Sequence, residues 1–228
     1  MEHTLRNFDV ELRNLCNSVG RMGDLVVDQL ETSLRALSAH DLAAARSSVE
    51  RDTQVNGKDI EIEEHSLRLL ALRQPVASDL RLITAAMKIA TELERIGDRA
   101  VNICEAIHMQ CEPDSAASHQ AIARLGERAA AAVRKAVAGF EESSARQARQ
   151  VIEEDHEFDQ LYTAALPQLT AFAATNPQAS QHDAKLAFLL KDLNEISEHA
   201  TNIAELVIFI AEGKQLSHMD MHERRLAK

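Results

Sequence analysis

Long runs of apolar residues at helical spacing constrain the fold of this 228-residue chain more than any other feature. In one such run an apolar or small residue recurs every three or four positions: Leu80, Ile83, Met87, Ala90, Leu93, Gly97, Ala100 and Cys104. That period is typical of one face of an α-helix. With only 7 Gly, 4 Pro and 3% aromatic residues, little interrupts such helices. The sequence therefore predicts an all-α protein built from long helices.

Capping residues and breakers divide the chain into six predicted helices. Asp41 is a suitable N-cap for the second helix, Ser143 or Ser144 for the fifth, and Gly213 follows the last turn of the sixth. Pro75 and Pro177 are expected near the first turns of the third and sixth. The predicted helices run over about 5–39, 42–73, 75–111, 115–140, 144–175 and 176–213.

The second three predicted helices repeat the first three. Three pairs of landmarks lie 102, 103 and 100 residues apart: Pro75 and Pro177, Asp52 and Asp155, Glu94 and Asn194. Such self-similarity indicates a duplicated unit. We predict two tandem, pseudo-symmetric three-helix bundles over 1–112 and 113–213, followed by a polar tail over 214–228.

Charge and composition exclude several classes of partner. A formal net charge of −11 argues against nucleic acid, whose phosphates require a basic surface. The first residues, MEHTLRNFDVELRN, lack the apolar core of a signal peptide, and the longest strongly apolar run, 206–211, is too short to span a bilayer. Three cysteines without a CxxC pair favour free thiols: Cys16, Cys104 and Cys111. We expect a cytoplasmic protein that reaches a membrane only through a partner.

Polar residues line up along four of the predicted helices. Residues four, eight and eleven positions apart return to within about 80° on an α-helix, so they share a face. The third helix carries Glu94, Asp98, Asn102 and Glu105 at this spacing, and the sixth carries Asn194, Glu198, Asn202 and Glu205. The second helix offers Asp52, Asn56, Asp59 and Glu63 as a facing stripe, and the fifth offers Asp155 and Asp159.

Two interpretations of these acidic stripes remain open at this point. Converging carboxylates repel one another, and a bound cation would relieve that repulsion. Because all the donors are oxygens, the stripes favour Fe, Mn, Mg or Ca over a thiolate-bound zinc. The alternative is that the acids form the solvated faces of their helices, which is their more common role.

Other metal or catalytic patterns are weaker. Glu153 and His156 form a single E-x-x-H motif, whereas di-iron bundles use two. His199 beside Glu198 is a candidate ligand but is expected to be an exposed histidine instead. His218 and His222 have the spacing to bind a metal together, but in a polar tail we expect no specific role for them. Neither a Gly-rich phosphate loop nor a Ser/His/Asp constellation occurs in the sequence.

Two segments resemble a known family. QPVASDLRLITAAMKIATELERIGDRAVNICEAI and HATNIAELVIFIAEGKQLSH are similar to the third and sixth helices of the PhoU family of phosphate-transport accessory proteins. The E-R-I-G-D core, followed by N-I and an acid, is a specific signature, and the resemblance covers essentially the whole chain.

The resemblance implies a regulator rather than an enzyme. PhoU proteins are cytoplasmic, all-helical and built from two three-helix bundles, and they repress the phosphate-starvation response. The resemblance also implies an adaptor that connects the ATPase subunit of the phosphate ABC transporter to a membrane-bound sensor histidine kinase. The family also implies a homodimer and, in some members, metal ions bound through pairs of E(D)-x-x-x-D motifs.

Each half of the chain keeps one complete family motif and one altered motif. The complete ones are Glu94 with Asp98 and Asp155 with Asp159; the altered ones are Asp52 with Asn56 and Asn194 with Glu198. An Asn offers a carbonyl oxygen but no charge. We therefore expect the first-half site to bind a divalent ion more tightly, and the second to be weak or empty.

Two other functions compete with the regulator. A metal-dependent enzyme would use the carboxylate clusters as its active site, but no recognisable nucleophile or base motif accompanies them. A metal-free helical scaffold would use the acids only as solvated faces.

Overall fold

The computed structural model describes residues 2–108, 116–170 and 180–213. Every element in these ranges is an α-helix, which confirms the all-α prediction. The six helices are α1 (Glu2–Ala39), α2 (Leu42–Arg73), α3 (Ala77–His108), α4 (Ala116–Glu141), α5 (Ala145–Thr170) and α6 (Ser180–Glu212). No helix in the described part of the chain is long and apolar enough to cross a membrane.

Three of the predicted helix ends follow from local capping chemistry. The Asp41 carboxylate accepts hydrogen bonds from the first free amides of α2, Ala43 N at 2.9 Å and Ala44 N at 3.0 Å. Ser144, not Ser143, caps α5, since its hydroxyl accepts from Gln147 N at 3.4 Å. Gly213 follows α6 with a φ of 68°, the left-handed conformation that glycine adopts without strain.

The start of the third helix differs from the prediction. Pro75 belongs to the link between α2 and α3, and the helix begins at Ala77. Gln74 and Ala77 have φ values of 47° and 46°, so the chain makes left-handed turns on both sides of Pro75 and the right-handed helix cannot extend back to it. The first helix also begins earlier than predicted, at Glu2. The predicted ends at 111 and 175, the start at 176 and the boundary near Pro113 lie outside the described residues.

Each half is a three-helix bundle, and the two halves pack through two helix pairs. α1, α2 and α3 contact one another, as do α4, α5 and α6. α1 contacts α4 and α3 contacts α6, so α2 and α5 lie on opposite outer sides. Equivalent residues of α3 and α6, 100 positions apart, are fully buried in the shared core: Leu93 and Leu193, Ile96 and Ile196, Ile103 and Ile203. The predicted stripe extends one turn too far, because Leu80 is 42% exposed.

Two glycines form the antiparallel crossing of α1 and α4. A Cβ placed on Gly23 of α1 would lie 2.6 Å from Val137 Cγ1 of α4. A Cβ on Gly126 of α4 would lie 2.7 Å from Leu34 Cδ2 of α1. The two glycines are 103 residues apart, and so are their two partners, so one contact is made twice about a pseudo-two-fold axis. Each missing side chain lets the facing helix approach closely.

Candidate functional site

The acidic stripes of α2 and α3 face each other in the first half. Glu94 is half-buried on α3 and Asp98 is exposed one turn further on. Burial raises the pKa of Glu94, and nearby negative charge raises it further. That charge comes from Asp98 on the same helix and from Asp59 and Asp52 on α2. Burial likewise raises the pKa of Asp59, with a further contribution from Glu63. The carboxylates are therefore close enough to repel one another.

Asp52 is held by two amide side chains. Asn56 Nδ2 donates to Asp52 Oδ2 at 2.9 Å, and Gln29 Nε2, from α1, donates to Asp52 Oδ1 at 3.3 Å. These bonds leave two amide oxygens, Gln29 Oε1 and Asn56 Oδ1, buried without a hydrogen-bond donor among the described residues. A buried oxygen without a partner costs about 1–3 kcal/mol. The first-half site thus combines repelling acids with two uncompensated carbonyl oxygens.

Gly97 of α3 borders this site. A Cβ there would lie 3.2 Å from Gln29 Oε1 and 3.4 Å from Asp52 Oδ1. Because Gly97 has no side chain, the amide of Gln29 and the carboxylate of Asp52 reach the surface of α3 directly.

A chain of buried polar groups lies behind Asp52. The Ser33 and Ser48 hydroxyls are 2.8 Å apart and lie 2.9 and 3.1 Å from the carbonyl oxygen of Gln29, so one of them donates to the carbonyl and the other to its partner hydroxyl. Cys104 Sγ of α3 donates to Ser33 Oγ at 3.2 Å. Burial raises the pKa of the Cys104 thiol, and neither Cys104 nor Cys16 is in a disulfide. This network joins all three helices of the first half at the level of the site.

The second half replaces these polar groups by apolar ones. At the same 103-residue offset, Ala132, Ala136 and Val151 stand where the first half has Gln29, Ser33 and Ser48. Ser197 occupies the position of Gly97, and its hydroxyl donates to Asp155 Oδ1 at 3.3 Å. Asp155 thus accepts a hydrogen bond from α6, at the position where the first half has Gly97 and no side chain.

The remaining second-half motif residues are arranged differently from their first-half counterparts. On α6, Asn194 Nδ2 donates to Glu198 Oε1 at 2.6 Å, so the altered pair is bonded within itself. Asp159 is half-buried on α5. His156 lies on the exposed side of α5, with its Nε2 2.9 Å from Gln160 Nε2. His218 and His222 lie outside the described residues.

The predicted metal site stays a prediction. In the described part of the chain, no three His, Cys, Asp or Glu side chains converge so that they could hold a metal ion as they stand. The chemistry of the first-half donors nevertheless suits a hard cation, because carboxylate and amide oxygens are the ligands that such ions prefer. Metal binding there would require side-chain movement, because the described carboxylates do not converge on one point as they stand.

A second polar site lies between the halves, where α3 and α6 cross antiparallel. Glu92 of α3 lies 2.7 Å from His199 Nδ1 and accepts from Asn202 Nδ2 at 3.0 Å, both on α6. Burial opposes ionisation of Glu92, but these two partners outweigh it and lower its pKa below the usual value. The expectation that His199 is exposed is wrong, since only 15% of its side chain is accessible in this seam.

The same arrangement recurs 100 residues on with the helices exchanged. Asp192 of α6, only 9% exposed, accepts from Asn102 Nδ2 at 3.1 Å and from Arg99 Nη1 at 3.4 Å. Arg99 Nε also lies 3.0 Å from Glu195 Oε2. Burial raises the pKa of Asp192, and Asn102 and Arg99 only partly offset the rise. Asn102 and Asn202, assigned to the acidic stripes by spacing, therefore hold the two halves together.

Comparisons with known proteins agree with this architecture. The model of the PhoU domain matches twice, over residues 19–107 and 122–207. The phosphate-specific transport system accessory protein PhoU homolog of Pseudomonas aeruginosa is 33% identical over 220 residues, covering 96% of this chain and 91% of that protein. The homolog of the same description from Caulobacter vibrioides is 34% identical over 217 residues, covering 95% and 94%.

Solved structures are similar over the same length. The crystal structure of PhoU from Pseudomonas aeruginosa matches with a TM-score of 0.87 at 33% identity, covering 91% of this chain and all (100%) of that one. The phosphate transport system regulatory protein PhoU from Streptococcus pneumoniae matches with a TM-score of 0.84 at 25% identity, covering 92% and 99%. The PhoU domain matches twice, and relatives above 30% identity match along nearly the whole chain. The solved structures have the same fold. The chain therefore belongs to the PhoU family.

Proposed function

We propose that this protein is a cytoplasmic, non-catalytic regulator of phosphate uptake and a negative regulator of the phosphate-starvation response. In this proposal a homodimer links the ATPase subunit of the phosphate ABC transporter to the sensor histidine kinase of the phosphate regulon. The observation that carries the proposal is the match to accessory proteins of the phosphate-specific transport system along nearly the whole chain. The two family repeats are both present, and the described helices of one repeat contact those of the other.

The mechanism would be conditional contact between proteins. A regulator without chemistry of its own acts by binding one state of its partners better than another, and so shifts their populations. The polar seams between α3 and α6 join the two bundles, so partners would meet them as one unit.

Deletion of the gene tests the regulatory role. We expect phosphate-starvation genes to be expressed in cells grown with abundant phosphate, and the wild-type gene in trans to restore repression. Unchanged repression in the deletion strain would contradict the proposal.

A tagged copy tests the partners. Pull-downs from cells grown in high and in low phosphate should recover the transporter ATPase or the histidine kinase in amounts that depend on phosphate. Recovery of neither protein under both conditions would contradict the adaptor role.

The proposal includes a divalent cation, such as Fe, Mn or Mg, at the first-half site. Glu94, Asp98 and Asp52 would supply charge, and the oxygens of Asn56 and Gln29 would supply neutral donors. The raised pKa of Glu94 and the buried amide oxygens without donors support it, since a cation would compensate both. When bound, the ion would stiffen the first bundle by tying α2 to α3.

The duplicated chain provides a matched control for the metal. Mn²⁺ titrated into metal-stripped protein, followed by calorimetry and thermal unfolding, should bind and raise the melting temperature. Glu94→Gln and Asp98→Asn should weaken binding at least about tenfold, as loss of a charged ligand does. Asp155→Asn and Asp159→Asn should change it much less, because the second half has the neutral Asn194 where the first half has Glu94. Equal losses in both halves, or none, would contradict the first-half preference.

A further inference from the structure

The outer face of α2 carries a stripe of exposed apolar side chains. Leu42, Val49, Ile60 and Leu67 expose 53%, 37%, 57% and 51% of their surfaces. They follow one another after 7, 11 and 7 residues, spacings that return to within about 20° of one direction on an α-helix. Among the described helices, α2 contacts only α1 and α3. The stripe is about 38 Å long, whereas exposed apolar residues on a surface without partners are normally scattered.

The fold itself does not require this stripe. At the 103-residue offset, α5 takes the same outer position in the second half, and buried positions of the two helices correspond: Val55 to Phe158 and Ile62 to Ala165. The four stripe positions correspond to Ala145, Ile152, Thr163 and Thr170, and Ile152 packs against the core. Since the same bundle forms without the stripe, it has another role in α2.

Gly57 gives an independent indication on the same face. It lies in the middle of α2, where glycine costs about 1 kcal/mol relative to alanine, and a Cβ there would meet nothing within 4 Å. Nothing within the described chain therefore explains the glycine. A missing side chain on an exposed helix face allows another helix to approach closely.

We propose that this α2 stripe binds the same stripe of a second copy of the chain, antiparallel, in a symmetric dimer. The stripe is symmetric about the point midway between residues 54 and 55. A two-fold axis there places Leu42 opposite Leu67 of the second copy, and Val49 opposite Ile60 of the second copy. Such a self-matching pattern is what an isologous interface requires. Gly57 lies within one turn of the axis, where the helices are closest.

Charge complementarity supports the same pairing. Arg46 and Glu64 are exposed and lie on the same side of the stripe, both about 40° from Leu42. The two-fold axis places the side of the stripe that carries Arg46 and Glu64 next to the same side of the second copy. Arg46 and Glu64 lie at nearly equal distances along the helix from that axis, in opposite directions. Each Arg46 therefore faces Glu64 of the second copy, which forms two equivalent ion pairs. Exposed pairs add little affinity, but they select the antiparallel register.

The surface rests on the homodimer proposed above and is independent of the regulatory role. Sedimentation analysis of the full chain should give twice the chain mass of 25.2 kDa at micromolar concentration. Ile60→Glu should raise the dimer dissociation constant at least about tenfold, as a charge in the centre of an interface does. Val76→Glu is the matched control: Val76 is 72% exposed but lies outside the stripe, and the dimer should persist. Circular dichroism checks that each variant is folded.

A charge exchange tests the register. Arg46→Glu and Glu64→Arg should each weaken the dimer, and the two together should restore it. Failure of the double variant to recover would overturn the antiparallel pairing.

Two other outcomes would overturn the interface. A dimer that survives Ile60→Glu but not Val76→Glu would place the interface elsewhere. A monomeric wild type whose Ile60→Glu variant loses repression in cells would assign the stripe to a different protein. If Ile60→Glu abolishes the dimer while gene deletion leaves the phosphate-starvation genes repressed, the interface is supported and only the regulatory role is contradicted.

Discussion

Gln29 and Ala132 occupy equivalent positions in the two halves, and this exchange changes what lies behind the acidic stripes. In the first half the amide of Gln29 bonds Asp52 and leaves its own oxygen without a donor. In the second half the position is alanine, and Ser197 bonds the corresponding Asp155 instead. At the scale of single residues, the first half is therefore strained by repelling acids and by a buried amide oxygen without a donor, and the alanine of the second half has no such oxygen.

The substitution Glu94→Gln measures that strain. Because the folded state raises the pKa of Glu94 above its ordinary value of 4.5, the folded protein binds this proton more tightly than the unfolded chain. The stabilisation from Glu94 is therefore present at low pH and is lost as the pH rises through the folded pKa. In chelator, Glu94→Gln should have a larger free energy of unfolding than wild type at pH 7, and the difference should vanish near pH 4. Urea unfolding at both values checks this.

Asp24→Asn is the control, because Asp24 is exposed on α1 away from the stripes. It should change the free energy of unfolding by less than about 0.5 kcal/mol. A Glu94→Gln variant less stable than wild type at pH 7 in chelator would show that the carboxylate is compensated within the protein.

At the scale of the elements, close helix approach depends on a few small residues. Gly23 and Gly126 each admit a branched side chain of the facing helix at the crossing of α1 and α4. Both glycines lie inside long helices, where they lower helix propensity by about 1 kcal/mol relative to alanine. Interhelical packing thus outweighs propensity at both positions.

Gly23→Ala should destabilise the protein despite its better propensity. The new Cβ would lie 2.6 and 2.8 Å from the two γ-carbons of Val137, a β-branched residue that cannot easily turn away. We expect a net loss of about 1–2 kcal/mol, typical of overpacking, in the free energy of unfolding by urea. Val137→Ala in the same chain should recover most of it.

Gly139→Ala provides the opposite control. Its Cβ would meet only ordinary contacts, the nearest at 3.6 Å, so propensity should prevail and stabilise the protein by about 0.5–1 kcal/mol. If Gly23→Ala were stabilising to the same extent, the close crossing of α1 and α4 would be wrong.

At the scale of the whole molecule, the two bundles are joined by a seam that repeats itself. Glu92 with His199 and Asn202 on one side corresponds to Asp192 with Arg99 and Asn102 on the other. The acids are half-buried or buried and each is bonded across the seam, so relative movement of the halves would leave charges without partners. The seam therefore favours one arrangement of the halves.

Arg99→Ala tests the seam. It leaves the buried Asp192 with only Asn102 and removes the cation between Asp192 and Glu195. We expect a loss of about 2–3 kcal/mol in the free energy of unfolding, as for a buried carboxylate that loses a charged partner. Arg128→Ala, which removes the exposed pair with Glu157, should cost under about 1 kcal/mol. Equal effects would mean that the seam is no stronger than a surface ion pair.

The helices, their number and their duplication follow from the sequence alone. Helix formation depends on local features: periodic apolar residues, the cap at Asp41 and the scarcity of breakers. Asp98 could also be placed on the polar face of α3 from spacing, because an α-helix has a fixed rotation per residue. The altered motifs at Asn56 and Asn194 were also visible, since they depend only on residue identity.

Only the tertiary structure decided which polar residues meet. Asn102 follows the spacing of the acidic stripe but turns to Asp192, and Gln29 enters the site from α1, although nothing in its neighbourhood in the sequence marks it. His199 is half-buried against Glu92 for the same reason: its partner is 107 residues away. Local periodicity determines the direction in which a side chain leaves its helix, whereas its environment depends on how distant helices pack against that face.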